Sequence, residues 1–167
     1  MSGQPTITIL TGPTAAGKNI IGHVYATRHC ERGAVIDVDA VRWMLRKPHI
    51  APWDAGGLEQ HQLGVRHACM LARSFVDEGC EVVILDVLWA DLAARYRQEL
   101  ASYPHRIVRL LPTWDEARRR LLGRPPTISE AEAWWVYERI AAVQDVDCTL
   151  DNSDMTAESV AAWLATI

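Results

Sequence analysis

The chain has 167 residues, of which 49% are hydrophobic and 23% are charged, and its formal net charge is −4. This composition excludes a disordered or fibrous protein. The length fits a single domain over 1–167, with room for a full sheet and two helical layers. The acidic balance provides no general attraction for nucleic acid or for an anionic membrane, so neither is an expected partner.

No apolar run approaches the ~20 residues needed to span a bilayer. The first residues, Met-Ser-Gly-Gln-Pro, have neither the basic nor the apolar part of a signal peptide, so we expect a cytoplasmic protein. The cysteines, Cys30, Cys69, Cys80 and Cys148, are scattered along the chain. Their spacing favours neither a disulfide framework nor a zinc site. His61 and His67 are six residues apart and do not have the spacing of a metalloprotease pair.

The segment 6–19 predicts a phosphate-binding loop between a strand and a helix. A β-rich strand is predicted over 6–10 and a helix over 19–32. Between them is the pattern Gly-x-x-x-x-Gly-Lys, in which backbone amides wrap the phosphates of a nucleotide and the lysine reaches the terminal phosphates. We therefore expect nucleotide binding by the loop residues Gly12, Pro13, Thr14, Ala15, Ala16, Gly17, Lys18 and Asn19.

Asn19 departs from the usual form of this loop, because a serine or threonine normally follows the lysine and binds Mg²⁺ through its hydroxyl. The amide oxygen of asparagine can also bind a hard cation, but it lacks the compact geometry of a hydroxyl. Asn19 is therefore a predicted Mg²⁺ ligand that needs help from other residues. The alternative is a degenerate site that binds the nucleotide without hydrolysing it.

Acidic residues end two of the predicted strands. The strand over 34–39 carries Asp37 and Asp39, which alternation places on the same side, and the strand over 81–86 ends at Asp86. Ligands gather at the carboxyl ends of the strands in open α/β sheets. We expect Asp37 and Asp86 to hold Mg²⁺ and Asp39 to act as a general base toward an acceptor hydroxyl. The alternative for Asp39 is that it only caps the following helix.

The segment of about 43–66 is the predicted acceptor-binding region. It follows Arg42, which lies within one helical turn of Asp39 and could hold an anionic or hydroxylated group, or be only an exposed helix residue. Prolines and glycines mark 47–57 as a loop, and Trp53 in this loop is expected to shape the pocket. The predicted substrate-binding residues are Asp39, Arg42, Trp53, Arg66 and Asp86.

The remaining elements continue to alternate between helices and strands. Helices are predicted over 58–78 and 90–102 and from about 114, 130 and 156, and strands over 106–111 and 148–150. Capping-box patterns at Thr113 with Glu116 and at Ser129 with Glu132 mark two of the helix starts. This alternation predicts an α/β fold with three layers, α/β/α, around a five-stranded parallel sheet.

A basic stretch within about 120–132 predicts a lid over the nucleotide. Arg120 and Arg124 are expected to close on the phosphates and to stabilise the transferring group. Two neighbouring pairs are expected to have structural roles instead: Arg118 and Arg119 on a solvated helix face, and Trp134 and Trp135 in core and lid packing.

The order of these motifs resembles that of the small P-loop kinases. The motifs are Gly-Pro-Thr-Ala-Ala-Gly-Lys, Val-Ile-Asp-Val-Asp-Ala-Val-Arg, Val-Val-Ile-Leu-Asp and Arg-Leu-Leu-Gly-Arg, and they span nearly the whole chain. The superfamily includes shikimate kinase, gluconate kinase, adenylylsulfate kinase, chloramphenicol phosphotransferase and the tunicamycin-resistance proteins. The last two look most similar in length and layout. The resemblance implies ATP and Mg²⁺ as cofactors, with Lys18 on the ATP phosphates, Asp39 on the acceptor hydroxyl, and Arg120 and Arg124 in the lid.

The predicted function is ATP-dependent transfer of the γ-phosphoryl group to a hydroxyl of a small molecule, with an antibiotic or other natural product as the favoured acceptor. Two alternatives stay open. Asn19 is compatible with a nucleotide-binding sensor or sequestering protein that has lost transfer. A polynucleotide kinase is disfavoured by the acidic charge, because phosphate backbones demand an extended basic surface.

Overall fold

The computed structural model describes residues 5–125 and 127–167. The elements in chain order are β1 (Ile7–Thr11), α1 (Lys18–Arg28), β2 (Gly33–Asp37), α2 (Val38–Arg42), α3 (Gly57–Asp77), β3 (Glu81–Asp86), α4 (Leu92–Glu99), β4 (His105–Leu110), α5 (Trp114–Leu122), α6 (Glu130–Ala142), β5 (Cys148–Leu150) and α7 (Ala157–Leu164). The strands form one parallel sheet in the order β2-β3-β1-β4-β5. None of the described helices has the length and apolar character that crossing a bilayer requires.

Alternate residues of the central strands face two different hydrophobic cores. On β1, Ile7 and Ile9 join one core with α3 and α4, whereas Leu10 joins the other with α1 and α7. The same alternation on β3 separates Ile84 from Leu85. Strands buried on both faces read as continuous apolar runs, which is the pattern that predicted them. The predicted three-layer fold with a five-stranded parallel sheet is confirmed.

The main departure from the predicted elements is at the end of β2. The strand ends at Asp37, and α2 begins at Val38, so the predicted strand over 34–39 was too long. The Asp37 side chain accepts a hydrogen bond from the backbone N of Asp39, at 3.0 Å, and so provides the helix cap. The expectation that both acids lie on the same side of a strand is therefore wrong, and the capping acid is Asp37.

The two predicted capping boxes have different outcomes. At α6, Ser129 and Glu132 satisfy each other's backbone N–H groups, and the box is complete. At α5, the Thr113 side chain accepts from the backbone N of Glu116, at 3.4 Å. The Glu116 carboxylate binds arginine side chains instead of the cap, so only half of this box forms.

Candidate active site

A cavity of about 930 Å³ lies at the carboxyl ends of β1, β2 and β3. The loop after β1, the start of α2 and the loop after β3 each contribute residues to its wall, and further residues come from 49–54 and from α6. Parallel strands bring their carboxyl ends to one edge of a sheet, which is why segments distant in sequence meet here.

The loop after β1 has the geometry of an anion-binding cradle. Gly17 (φ 89°) and Ala15 (φ 67°) adopt left-handed backbone conformations, which curve successive amides around a concavity. A side chain at Gly12 would have its Cβ 2.6 Å from the carbonyl oxygen of Leu110, so only glycine fits there. No side chain caps the start of α1, and its first turn carries no acidic residue. Its N-terminal amides and partial positive charge are therefore available to a phosphate.

Lys18 lies inside this cradle. Its Nζ donates to the carbonyl oxygens of Gly12, at 2.6 Å, and Pro13, at 3.0 Å. Burial lowers the pKa of the Lys18 amine to about 8, against the opposing influence of nearby carboxylates, of which Asp39 has the largest effect. Arg124 acts in the same direction as burial, so Lys18, Asp39 and Arg124 share one electrostatic environment.

The predicted cradle residues divide into two groups in the structure. The cavity wall includes Thr14, Ala15, Gly17, Lys18 and Asn19. The others, Gly12, Pro13 and Ala16, support the loop through their backbone carbonyls, all of which accept hydrogen bonds from side chains. The donor to Ala16 is the buried Nδ2 of Asn152, at 2.9 Å, and the sequence pattern contained no signal for this contact.

Arg42 is buried in the cavity wall, with 6% of its surface exposed. Its guanidinium donates to Asp39 Oδ1 and to the carbonyl oxygen of Ile50, both at 3.3 Å. The side chain runs over Gly64 of α3, where an added Cβ would come within 2.5 Å of Arg42 Cγ. The interpretation of Arg42 as an exposed helix residue is therefore wrong.

Asn19 and Asp37 lie next to each other beside the cradle. The Nδ2 of Asn19 donates to Asp37 Oδ2, at 3.3 Å, while Asp37 Oδ1 caps α2. Within 5–125 and 127–167 there is no group of three or more His, Cys, Asp or Glu side chains that could hold a metal. The two side chains fit a Mg²⁺ ion that is bound chiefly by phosphates and needs only one or two protein oxygens.

Asp86 lies at the centre of a buried hydrogen-bond network. Its Oδ1 accepts from His61 Nε2 and from the backbone N of Val87, and its Oδ2 accepts from the Tyr96 hydroxyl, each at 2.7 Å. Because the indole of Trp89 can only donate, its 3.2 Å bond to His61 Nδ1 fixes the imidazole tautomer with the proton on Nε2. A carboxylate has about four acceptor positions, so one position on Oδ2 remains for a further ligand. Burial, followed by the charge of Asp86, raises the pKa of Tyr96 well above its ordinary range.

His61 was not among the predicted site residues, because the spacing of the histidines indicates only that they lack a metal-binding pattern. The one relevant feature of the sequence is that His61 is on the predicted helix over 58–78, which comes directly before the strand that ends at Asp86. That position alone does not show that an imidazole and a carboxylate meet.

The two predicted lid arginines have different surroundings. Arg124 lines the cavity, but Arg120 does not. The Nη2 of Arg120 donates to the carbonyl oxygens of Asn152 and Ser153, both at 2.9 Å, and its Nε donates to Glu116. Arg120 therefore holds the loop after β5, which in turn contacts the cradle through Asn152. The exposed pair Arg118 and Arg119 forms surface ion pairs with Glu130 and Glu116, as a solvated face should.

Trp53 lines the cavity together with Trp89 and Trp135. The ring centroid of Trp135 is 6.4 Å from that of Trp53 and 5.4 Å from that of Trp89, and both contacts are edge-to-face. Its neighbour Trp134 packs on Trp114 and lies outside this cavity. Both tryptophans of the pair therefore make packing contacts, and Trp135 also lines the cavity.

Arg66 is exposed on α3 and does not line the cavity. Of the predicted substrate-binding residues, the structure brings Asp39, Arg42, Trp53 and Asp86 together in one wall.

No family model and no curated protein matches this sequence. Solved structures do match over almost the whole chain. A Mycobacterium tuberculosis APS kinase, CysC, in complex with AMPPNP and APS has a TM-score of 0.77 and 17% identity, covering 99% of this chain and 98% of that chain. A Deinococcus radiodurans tunicamycin resistance protein has a TM-score of 0.72 and 15% identity, covering 97% and 94%.

An Acinetobacter baumannii shikimate kinase in complex with shikimate has a TM-score of 0.62 and 17% identity, covering 96% of this chain and 90% of that chain. At these identities the likeness is one of fold. The chain has the fold of the P-loop kinases, and the resemblance seen in the order of its motifs is confirmed at that level.

Proposed function

We propose that this protein is an ATP-dependent phosphotransferase that moves the γ-phosphoryl group to a hydroxyl of a small molecule. The observation that carries the proposal is that Lys18 in the cradle and Asp39 on α2 line one open cavity. A nucleotide gripped by the first can present its terminal phosphate to a hydroxyl held near the second. The fold shared with APS kinase and shikimate kinase supports the same conclusion.

The cradle would hold the nucleotide phosphates through its backbone amides, the start of α1 and the Lys18 amine. Arg124 also lines this cavity and could offset charge on the transferring group. Phosphoryl transfer relies chiefly on this kind of positioning and electrostatic stabilisation. Asn19 and Asp37 would hold Mg²⁺, and the ion, when bound, would neutralise charge on the phosphate oxygens.

Asp39 is the proposed general base. Arg42 donates to its Oδ1, which restrains the carboxylate and leaves Oδ2 to accept the proton of the acceptor hydroxyl. The segment of about 43–66 and the lid of about 120–132 would enclose the acceptor and the nucleotide. Within the first segment, Trp53 has the position for this role, whereas Arg66 does not. Asp86 supports the wall through its buried hydrogen bonds and has one oxygen position left for a metal-bound water.

An antibiotic or other natural product is the proposed acceptor class. The support is the likeness in fold to the D. radiodurans tunicamycin resistance protein, together with a cavity large enough for a drug-sized molecule.

The direct test is a panel of hydroxylated metabolites and antibiotics, scored for ADP release and for a phosphorylated product by mass spectrometry. We expect wild-type protein to form ADP and product in equal amounts with at least one acceptor. Lys18→Ala should lose ATP binding in calorimetry without losing its fold. Unchanged ATP affinity in this variant would overturn the proposal at its first step.

A nucleotide-binding sensor or sequestering protein is the second candidate. Two observations favour it. Asn19 stands where a hydroxyl residue is usual, and its side chain donates to Asp37. Asp86 already accepts three hydrogen bonds from the protein, which leaves little capacity for a metal or its water. Tight ATP binding with no transfer to any acceptor in the panel would select this candidate over the phosphotransferase.

A further inference from the structure

Aromatic rings form much of the cavity wall outside the phosphate cradle. Trp53, Trp89 and Trp135 meet edge-to-face, and Trp43 stacks on His49 with ring centroids 3.5 Å apart. All five side chains line the cavity although they come from four different segments of the chain. Ligand pockets typically combine aromatic side chains with placed polar groups, and this cavity offers both, since Asp39, Arg42 and Asp54 line it as well.

The structure holds two of these rings in defined orientations. The Trp89 indole donates to His61, whose other ring nitrogen donates to the buried Asp86. The guanidinium of Arg139 lies over the Trp135 ring, 3.7 Å from its centroid. Rings whose orientation is fixed by such contacts form a preorganised surface, which lowers the entropic cost of binding a rigid partner.

The polar groups of this wall are not all satisfied. Arg42 Nε and His49 Nδ1 are buried and have no hydrogen-bond partner in the described part of the chain. Both residues line the cavity, and the Arg42 side chain is only 5% exposed. Buried polar groups are rarely left unpaired, so the hydrogen bonding of this part of the wall is incomplete in the protein alone.

We infer that the acceptor is a hydroxylated aromatic compound whose ring packs among Trp53, Trp89 and Trp135 and carries a hydrogen-bond acceptor, such as a carboxylate or carbonyl, that pairs with Arg42. The inference rests on the proposed function, because it assigns the acceptor side of the same cavity. A sugar is the main alternative occupant, because carboxylates such as Asp54 and Glu132 also line the cavity, but the indoles themselves offer it few hydrogen bonds. Each indole has a single N–H, and that of Trp89 is already used by His61.

The test is binding of a matched set of small probes in the presence of AMPPNP and Mg²⁺, measured by tryptophan fluorescence and saturation-transfer NMR. The probes are 4-(2-hydroxyethyl)benzoate, its saturated counterpart 4-(2-hydroxyethyl)cyclohexanecarboxylate, 2-phenylethanol and D-glucose. We expect the benzoate to bind about three- to tenfold more tightly than its saturated counterpart, because ring-on-ring contacts add to simple burial. Removal of the carboxylate should weaken binding by about tenfold or more.

Two neighbouring tryptophans provide a matched control. Trp135→Leu should weaken benzoate binding by about threefold or more through loss of a ring contact. Trp134→Leu, which changes a ring outside the cavity, should leave it unchanged. Arg42→Met should bring the affinity of the benzoate down to that of 2-phenylethanol. The corresponding change at the exposed end of α1, Arg28→Met, should not. Circular dichroism verifies that each variant is folded.

Three results would overturn the inference: equal affinity for the aromatic and saturated probes, tighter binding of D-glucose, or no detectable binding of the benzoate. ADP release is measured in parallel and separates this inference from the proposed function. Aromatic binding by a protein that transfers phosphate to nothing would remove the phosphotransferase and leave the aromatic site. Transfer to sugars alone would support the phosphotransferase and overturn the aromatic acceptor.

Discussion

Arg42 donates a hydrogen bond to Asp39 from one helical turn away, with Nη1 3.3 Å from Oδ1. The arginine side chain is 5% exposed, whereas that of the aspartate is 68% exposed. The buried cation thus restrains one oxygen of a carboxylate that otherwise projects into the cavity. This pair is the centre of the proposed chemistry, and it can be tested from both sides.

Asp39→Asn should keep ATP binding and lose phosphoryl transfer. The amide keeps the shape of the side chain but cannot accept the proton of a hydroxyl, and general-base catalysis is worth roughly 10²- to 10⁴-fold in rate. Calorimetry with AMPPNP and steady-state ADP release measure the two properties separately. A variant with wild-type turnover would remove Asp39 from the role of base.

Gly64→Ala should impair the acceptor side of the site although α3 is otherwise suited to alanine. The new Cβ would lie 2.5 Å from Arg42 Cγ and would displace the arginine from Asp39. We expect kcat/KM for the acceptor to fall with ATP affinity unchanged. Met70→Ala is the control, because Met70 is an exposed residue of the same helix and does not line the cavity. Similar effects of the two substitutions would contradict this account of Gly64.

ATP affinity should fall as the pH rises above about 8, the pKa to which burial lowers the Lys18 amine. Phosphates bind the protonated amine, and above this pH the unbound protein has lost that proton. The affinity should therefore weaken by up to about tenfold per pH unit in the alkaline range. Lys18→Arg keeps its charge throughout this range, so its residual affinity should be independent of pH. A flat profile for the wild-type protein would refute the role of Lys18.

Arg120→Ala should destabilise the protein more than Arg119→Ala. Arg120 donates to two backbone carbonyls of the loop after β5, whereas Arg119 forms only an exposed ion pair. Hydrogen bonds from a charged donor contribute about 1.5–3 kcal/mol to the free energy of unfolding, whereas exposed ion pairs contribute little because water screens them. Urea denaturation of both variants measures the difference. If Arg120→Ala instead kept full stability and lost only transfer, a direct role on the phosphates would be the better account.

Asn19→Ser should leave Mg²⁺-dependent turnover unchanged or improve it. Serine restores the compact hydroxyl that Mg²⁺ prefers at this position, and the side chain it replaces contributes only a 3.3 Å contact with Asp37. Titration of turnover against Mg²⁺ concentration is the measurement. A large loss of activity would show that the amide has a task of its own.

The fold was predictable because its determinants are local and repeat along the chain. Short stretches of consecutive residues determine the apolar strands β1, β3 and β4, and also helix starts such as Ser129. The predicted end of β2 was wrong because two acids spaced two residues apart fit two structures equally well. They can belong to a strand that continues to Asp39, or to a short helix that Asp37 caps. Local hydrogen bonding decided between them.

The candidate site was predictable only in part. The loop from Gly12 to Asn19 has a fixed local spacing, so its pattern was sufficient to predict the turn between β1 and α1, although not the support that Asn152 gives it. The roles of His61, Trp135 and Arg120 depend on contacts with segments about 25 or more residues away, at Asp86, Trp53 and Asn152. Residue type and spacing contain no record of such contacts, because they form only when the sheet assembles.

The hydrogen-bond network around Asp86 links the stability of the fold to the shape of the cavity. Tyr96 and His61 anchor α4 and α3 to the end of β3, and the same carboxylate, through His61, aims the Trp89 ring at the cavity. Any substitution that loosens this anchorage should therefore alter selectivity along with thermal tolerance. Variants selected at these positions for greater stability should also differ in the small molecules that the cavity binds.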